Sequence, residues 1–211
     1  MLAGSLASET ATSRSNERAP GNALEAGQLC LTEMEDWAPD RRKRRDGTGP
    51  RLSLRVEIAI QSELWKQHAH IGTLVRKALR TASATVSLEG GEVSVILAGD
   101  SAVRVLNRRW RKRDRPTNVL SFPAHRWNAG ALPPLLGDIV IAYETTRREA
   151  DAQQKPFAHH VTHLVVHGFL HLLGYDHAGA EEARAMERIE ASILARLEVP
   201  DPYTRISTAI S

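Results

Sequence analysis

One cysteine, Cys30, stands alone in 211 residues. No disulfide can close within the chain, and nothing points to an oxidising compartment. No apolar run approaches the roughly 20 residues that a membrane-spanning helix requires. A charged start followed by an apolar core is missing from the N-terminus, and its scattered acids, Glu9, Glu17, Glu25, Glu33 and Glu35, argue against an organelle transit peptide. The expectation is a cytoplasmic protein with no membrane partner. Net positive charge is also modest: 28 Lys and Arg against 25 Asp and Glu leave a formal net charge of only +3, with a pI near 9.3. A nucleic-acid role would therefore depend on where the cations cluster, not on their total.

What is present is ordinary for a globular protein, 42% hydrophobic and 25% charged residues, enough for one well-buried domain and an appendage. Residues 1–50 are rich in Ala, Ser, Thr, Gly and charge without periodicity, and end in Arg41-Arg42-Lys43-Arg44-Arg45 before a Gly-Thr-Gly-Pro breaker. They read as a disordered extension. The basic run reads as a solvated linker, with an RNA-contacting arm as the alternative. The domain is expected over 51–205, followed by a tail at 206–211.

Within the domain, alternating apolar residues predict a strand at Leu54–Ile60, and Ser62 offers an N-cap for a helix to about Ala82. Val86–Leu88 and Val93–Leu97 form either a hairpin or one interrupted strand. Asp100 is read as the cap of a helix reaching Trp110, with Arg111 at its exit and Pro116 as its terminator. Strands follow at Asn118–Phe122 and Leu136–Ala142, separated by a loop from His125 to Pro134. A polar helix over Glu144–Gln153 precedes Pro156, which suits the first turn of a helix that is apolar nearly all round. An amphipathic helix, Ala180–Leu197, turns Met186, Ile189, Ile193 and Leu197 toward the core. The class expected is α+β: a single domain with a small mixed β-sheet packed against several helices, one of them a central metal-binding helix.

That helix carries the strongest chemical signal, the run His167-Gly168-Phe169-Leu170-His171-Leu172-Leu173-Gly174-Tyr175-Asp176-His177. His167 and His171 are one turn apart, so their imidazoles leave the same face. Gly174 sits where the helix would end, and glycine adopts the left-handed cap without steric penalty, letting the chain return His177 to the same point. Three nitrogens at roughly 2.1 Å leave a tetrahedral zinc ion one position short, the pattern of catalytic sites whose water has a pKa near 7. His159, His163, His167 and His171 also form an i, i+4 ladder, but His159 and His167 would lie about 12 Å apart along the helix, too far to share an ion. His163 is thus expected beside the ligands or facing substrate, and His159 and His160 on the surface. The spacing matches that of metzincin proteases, whose first histidine is followed by a glutamate acting as general base. Here Gly168 holds that position, which speaks against peptide hydrolysis and is read as leaving room beside the metal for a phosphodiester.

A second segment, Leu106 to Pro123, carries the densest ordered positive charge, including Arg108, Arg109, Arg111, Lys112, Arg113 and Arg115. Arginine suits bidentate phosphate contacts, and a cationic cluster supplies the sequence-independent part of nucleic-acid affinity.

The two segments together resemble the YbeY-type endoribonucleases, which are rRNA maturation factors. Arg111, Asp114 to Pro123, Leu136 to Asp138 and His167 to His177 occur in the family's order, and His160, His163 and Val165-Val166 fit its approach to the metal helix. The resemblance spans roughly Val56 to Tyr203. It implies that His167, His171 and His177 hold one Zn2+ per chain and that Arg111 contacts the scissile phosphate. It also implies a single-stranded RNA substrate near the 3′ end of small-subunit rRNA and ribosome-associated protein partners. Trp110 departs from the tyrosine common in the family, keeping an aromatic plane but losing a hydroxyl. On this reading Arg111, Arg113, Arg115 and His163 lie on the substrate side, and Asp176 or Asp138 orients a ligand histidine or accepts a proton, with orientation as the preferred role. The expected reaction is metal-assisted hydrolysis of RNA. The alternatives are a metalloprotease and a ribosome assembly factor without catalysis.

Overall fold

The computed structural model describes residues 53–124 and 135–203. The expectations for 1–50, for the loop His125–Pro134 and for the tail 206–211 fall outside those residues. In chain order the elements are β1 (Arg55–Ile60), α1 (Ile71–Thr85), β2 (Glu92–Ala98), α2 (Asp100–Arg111), β3 (Val119–Pro123), β4 (Leu135–Ala142), α3 (Tyr143–Ala152), α4 (Phe157–Leu172) and α5 (Ala180–Arg196). The sheet order is β1-β2-β4-β3, with β3 antiparallel to β4 and the other pairs parallel. The mixed sheet and α+β class match the sequence expectation.

The nearly continuous apolar run of β4 follows from burial on both faces, as is usual for a strand with parallel neighbours covered by helices. Ile139 and Ile141 point into the main core with α1, α4 and α5, while Val140 and Ala142 pack on the other face against Val103 and Leu106 of α2. Helix α4 lies between the sheet and α5 and also touches α1 and α3. Its interior position explains why Val161, Leu164, Val165, Val166, Phe169, Leu170 and Leu172 are all buried.

Four local expectations change. The helix expected from Ser62 is split: Ser62 does cap, accepting from Leu64 N at 3.4 Å, but it starts a 3-10 turn, Glu63–Gln67. Side chains three apart eclipse in that geometry, which turns Trp65 and His68 toward the same ring, Phe157, at centroid distances of 5.7 and 4.6 Å. Trp65 is fully buried and donates Nε1–H to the Ala98 carbonyl at 2.9 Å. Val86–Leu88 is neither hairpin nor strand but the end of α1: Ser87 takes a left-handed φ of 56°, and Leu88 N bonds Ser83 O at 2.9 Å, a Schellman closure. Asp100 is the first residue of α2, preceded by Gly99 as cap, and its carboxylate instead caps α3. Oδ1 accepts from Thr145 N and Oδ2 from Thr145 Oγ1, both at 2.9 Å, and Glu144 Oε2 returns the favour to Asp100 N at 2.8 Å. Pro156 sits just before the first turn of α4, with extended ψ of 132°.

Gly168 corrects a further expectation. A Cβ there would lie 3.0 Å from both Ile139 Cγ2 and Ser121 Oγ and 3.4 Å from Val119 Cγ2. The missing side chain therefore lets α4 approach β3 and β4 closely, and the space it leaves belongs to the helix–sheet contact, not to the metal face. For Gly168→Ala, overpacking of about 1–3 kcal/mol outweighs a helix-propensity gain of at most about 1 kcal/mol. The variant is expected to unfold at lower urea concentration with an unchanged m-value, and a midpoint equal to or above that of the parent would contradict this packing.

Candidate metal centre

Helix α4 ends in a Schellman motif. Gly174 has φ 86°, its N–H bonds His171 O at 3.1 Å, and Tyr175 N bonds Leu170 O at 3.1 Å. This reversal sends the chain back along the helix, and Asp176 shapes the next step by accepting from His177 N at 2.8 Å. The result is that His167, His171 and His177 converge: their ring centroids are 4.7 to 5.1 Å apart, and one potential ligand atom from each lies within 4.8 Å of the others.

The hydrogen bonds behind two of these rings fix which nitrogen carries the proton. His171 Nδ1 is 2.9 Å from the Tyr175 carbonyl, and His167 Nδ1 is 3.3 Å from Glu190 Oε2. A carbonyl and an ionised carboxylate only accept, so both Nδ1 atoms bear hydrogen and both Nε2 atoms present lone pairs. Those two Nε2 atoms face each other at 3.1 Å. Two lone pairs at that distance repel unless a cation lies between them. Nitrogens each about 2.1 Å from a tetrahedral ion would stand about 3.4 Å apart, close to the spacing found. Burial, reinforced by any positive charge on the neighbouring His167 or His177, pushes the His171 imidazole down to about 4, so it is neutral and able to ligate at pH 7. The donor set of three imidazoles fits a divalent ion of the zinc type and leaves a tetrahedral ion one open position.

Glu190 is the site residue that sequence reasoning missed. It is fully buried on α5. Burial alone would raise its carboxyl, but His163 and His167 hold it down at about 2. A signal was there: Glu190 falls on the otherwise apolar face of α5 with Met186 and Ile193, and a carboxylate in a core position requires a partner. His163 Nε2 lies 3.0 Å from Glu190 Oε1, so its ring is turned toward α5. The partners that orient His167 and His171 are thus Glu190 and the Tyr175 carbonyl, not Asp176 or Asp138. Among the described residues neither aspartate hydrogen-bonds an imidazole of the cluster. His160, expected on the surface, is only 4% exposed. Its Nε2 faces Glu149 Oε2 at 3.0 Å, and the same oxygen accepts from Asn118 Nδ2 at 2.9 Å, tying α4 to the start of β3. His159 is half-buried.

The basic segment is held in place from within. Arg111 is the last residue of α2, and Lys112 closes the helix with a left-handed φ of 58°. Buried Asn107 donates Nδ2–H to the Arg115 carbonyl at 2.7 Å and accepts from Arg113 N at 3.3 Å through its own carbonyl. Arg104 grips Asp114 with two bonds of 2.9 and 3.0 Å. That leaves Arg111, Arg113 and Arg115 exposed, with no ion-pair partner among the described residues. Partial desolvation and the neighbouring Arg113 lower the Arg111 guanidinium, and the Asp176 carboxylate raises it. The last effect places the guanidinium within electrostatic reach of the turn that carries His177. Trp110 contacts Phe122 edge-on, at a centroid distance of 6.1 Å.

Residues 57–198 match the family described as Endoribonuclease YbeY. A protein of that name from Rhodopseudomonas palustris strain BisA53 is 52% identical over 153 residues, which cover 70% of this chain and 89% of the relative. One from Nitrobacter hamburgensis is 45% identical over 182 residues, covering 80% of this chain and 96% of the relative. The solution structure of TM1509 from Thermotoga maritima matches with a TM-score of 0.46 at 23% identity, over 71% of this chain and 99% of that one. The match across 57–198 takes in both the basic segment and the histidine cluster, and the chain belongs to the Endoribonuclease YbeY family.

Proposed function

We propose that this chain is a zinc-dependent endoribonuclease that cleaves single-stranded RNA, acting on the 3′ end of small-subunit rRNA during ribosome maturation. Family membership supports the reaction class, and the relatives' printed name is that of an endoribonuclease. The observation that carries the metal reading is the pair of Nε2 lone pairs facing each other at 3.1 Å with His177 beside them. On this reading His167, His171 and His177 hold one Zn2+ per chain. When bound, the ion supplies a Lewis acid for a phosphoryl oxygen and an acidified water.

The remaining parts are the chain's own. Arg111, at the end of a rigid helix and near the His177 turn, is the group to pair with non-bridging phosphoryl oxygens and offset the charge that develops on them. Arg113 and Arg115 extend that positive surface along the RNA backbone. His163 acts from behind the ligands, through Glu190. No carboxylate follows His167, so the glutamate of metzincin proteases has no counterpart at that position. The catalytic unit is residues 51–205, with 1–50 as an appended extension. The same reading puts its work in the cytoplasm beside ribosome-associated proteins; among the described residues no helix is long and apolar enough to cross a membrane.

Three outcomes test this reading. His167→Ala and His171→Ala proteins are expected to lose bound zinc, measured by elemental analysis after dialysis; full zinc content in both would remove the ligand assignment. Arg111→Ala is expected to keep its fold and metal and to cleave single-stranded RNA roughly 100-fold more slowly, and undiminished cleavage would exclude the arginine from the reaction. Replacing Arg113 and Arg115 together with Ala should flatten the slope of log affinity against log salt for single-stranded RNA by about 1.4, at about 0.7 per phosphate contact. An unaltered slope would place the RNA elsewhere.

A further inference from the structure

The cluster of His163, His167, Glu190 and Tyr203 lies behind the proposed metal ligands. It could be read as a second cation site, because His163, His167 and Glu190 each place a ligand atom within 4.8 Å of the others. Hydrogen bonding argues otherwise. Glu190 Oε2 receives both His167 Nδ1, at 3.3 Å, and the Tyr203 hydroxyl, at 2.5 Å. Burial, together with the Glu190 charge, pushes the Tyr203 hydroxyl upward, so it remains an O–H donor. A cation held by all three of His163, His167 and Glu190 would have to displace the His167 Nδ1 proton, the same proton that turns the Nε2 lone pair toward His171.

Tyr203 reaches this position through a built turn. Just beyond α5, Glu198 takes a left-handed φ of 61°, and Val199 N bonds Leu194 O at 3.0 Å. Val199 is then buried against the core. Asp201 Oδ1 accepts from Tyr203 N at 2.9 Å and turns the chain inward. Tyr203 is 39% exposed as a residue, yet its hydroxyl meets a carboxylate with no solvent exposure, and the ring stands edge-on to His163 at 6.4 Å. An exposed tyrosine whose hydroxyl is placed on a buried acceptor acts as a latch across the end of that acceptor's pocket.

We infer that Tyr203 and Glu190 are positioning residues for the metal centre: the C-terminal turn holds the Glu190 carboxylate in the rotamer that fixes the His167 tautomer, and metal affinity depends on that hydroxyl. The inference rests on the proposed metal reading and adds a control on it from outside the ligand-bearing segment. Partners that orient a ligand histidine typically change metal affinity 10–100-fold. The Tyr203 hydroxyl acts one bond further back and is expected at the lower end of that range.

The test uses the full chain, its Tyr203→Phe variant and its Glu190→Gln variant. Zinc affinity is measured by competition with a chromophoric chelator, stoichiometry by elemental analysis, and the His167 tautomer in the metal-free protein by long-range 1H–15N NMR of the imidazoles. Thermal unfolding of the metal-free forms runs in parallel. The expected result is one zinc per chain, an affinity about 10-fold weaker in Tyr203→Phe with little change in its metal-free unfolding temperature, and a larger loss in Glu190→Gln. In the metal-free parent His167 should show the Nδ1–H tautomer, with a share of the other tautomer in Tyr203→Phe and a larger share in Glu190→Gln. Unchanged affinity and tautomer in Tyr203→Phe would overturn the inference, as would a second zinc lost on substituting Glu190. Should the parent bind no zinc, the proposed function fails in that measurement, and the tautomer comparison still decides the latch.

Discussion

Two hydrogen bonds that never touch a substrate govern this site. The Glu190 carboxylate and the Tyr175 carbonyl face the Nδ1 atoms of His167 and His171, and each can only accept. With the protons fixed on those nitrogens, two lone pairs are aimed at one point, and a cation becomes the natural occupant. Without these acceptors each neutral imidazole would be free to exchange tautomers, and the Nε2 pair could relax into an ordinary N–H···N bond. The convergence of lone pairs therefore belongs to the partners of the histidines as much as to the histidines.

The fold serves that geometry in two ways. Sandwiching α4 between the sheet and α5 allows one face of the helix to lack a side chain at Gly168 and dock closely, while another face carries His163 and His167 to the single buried acid of α5. Ending α4 in a glycine-capped reversal returns both the Tyr175 carbonyl and the His177 ring toward the helix. Separately, Asn107 and the Arg104–Asp114 pair shape the segment after α2. Arg111 is thus delivered from a helix end with its charge free, instead of from a mobile loop.

Much of this could be read along the chain because each part has a local cause. The i, i+4 histidines, the glycine stop and the returning His177 are tied by short-range geometry, and the apolar runs of β4 and α4 announce their burial. Most of the parts that could not be read depend on partners distant in sequence; the Val86–Leu88 closure is the local exception. The split after Ser62 follows from two rings meeting Phe157, some ninety residues on. The reassignment of Asp100 needs the start of α3, since an acid at a helix start looks the same whichever helix it caps. His160 looked like a surface residue because its carboxylate partner, Glu149, sits on another helix. Gly168 was assigned to the metal face because its spacing relative to His167 was known and the position of β3 was not. Glu190 was the one overlooked residue with a local sign, an acid on an apolar stripe.

The most direct measurement is anomalous diffraction at the zinc edge from crystals of the zinc-loaded protein. The account predicts one peak per chain, about 2.1 Å from Nε2 of His167, Nε2 of His171 and one nitrogen of His177, with the fourth position taken by solvent. A peak seated between His163 and Glu190, or a fourth position closed by a protein side chain, would contradict it.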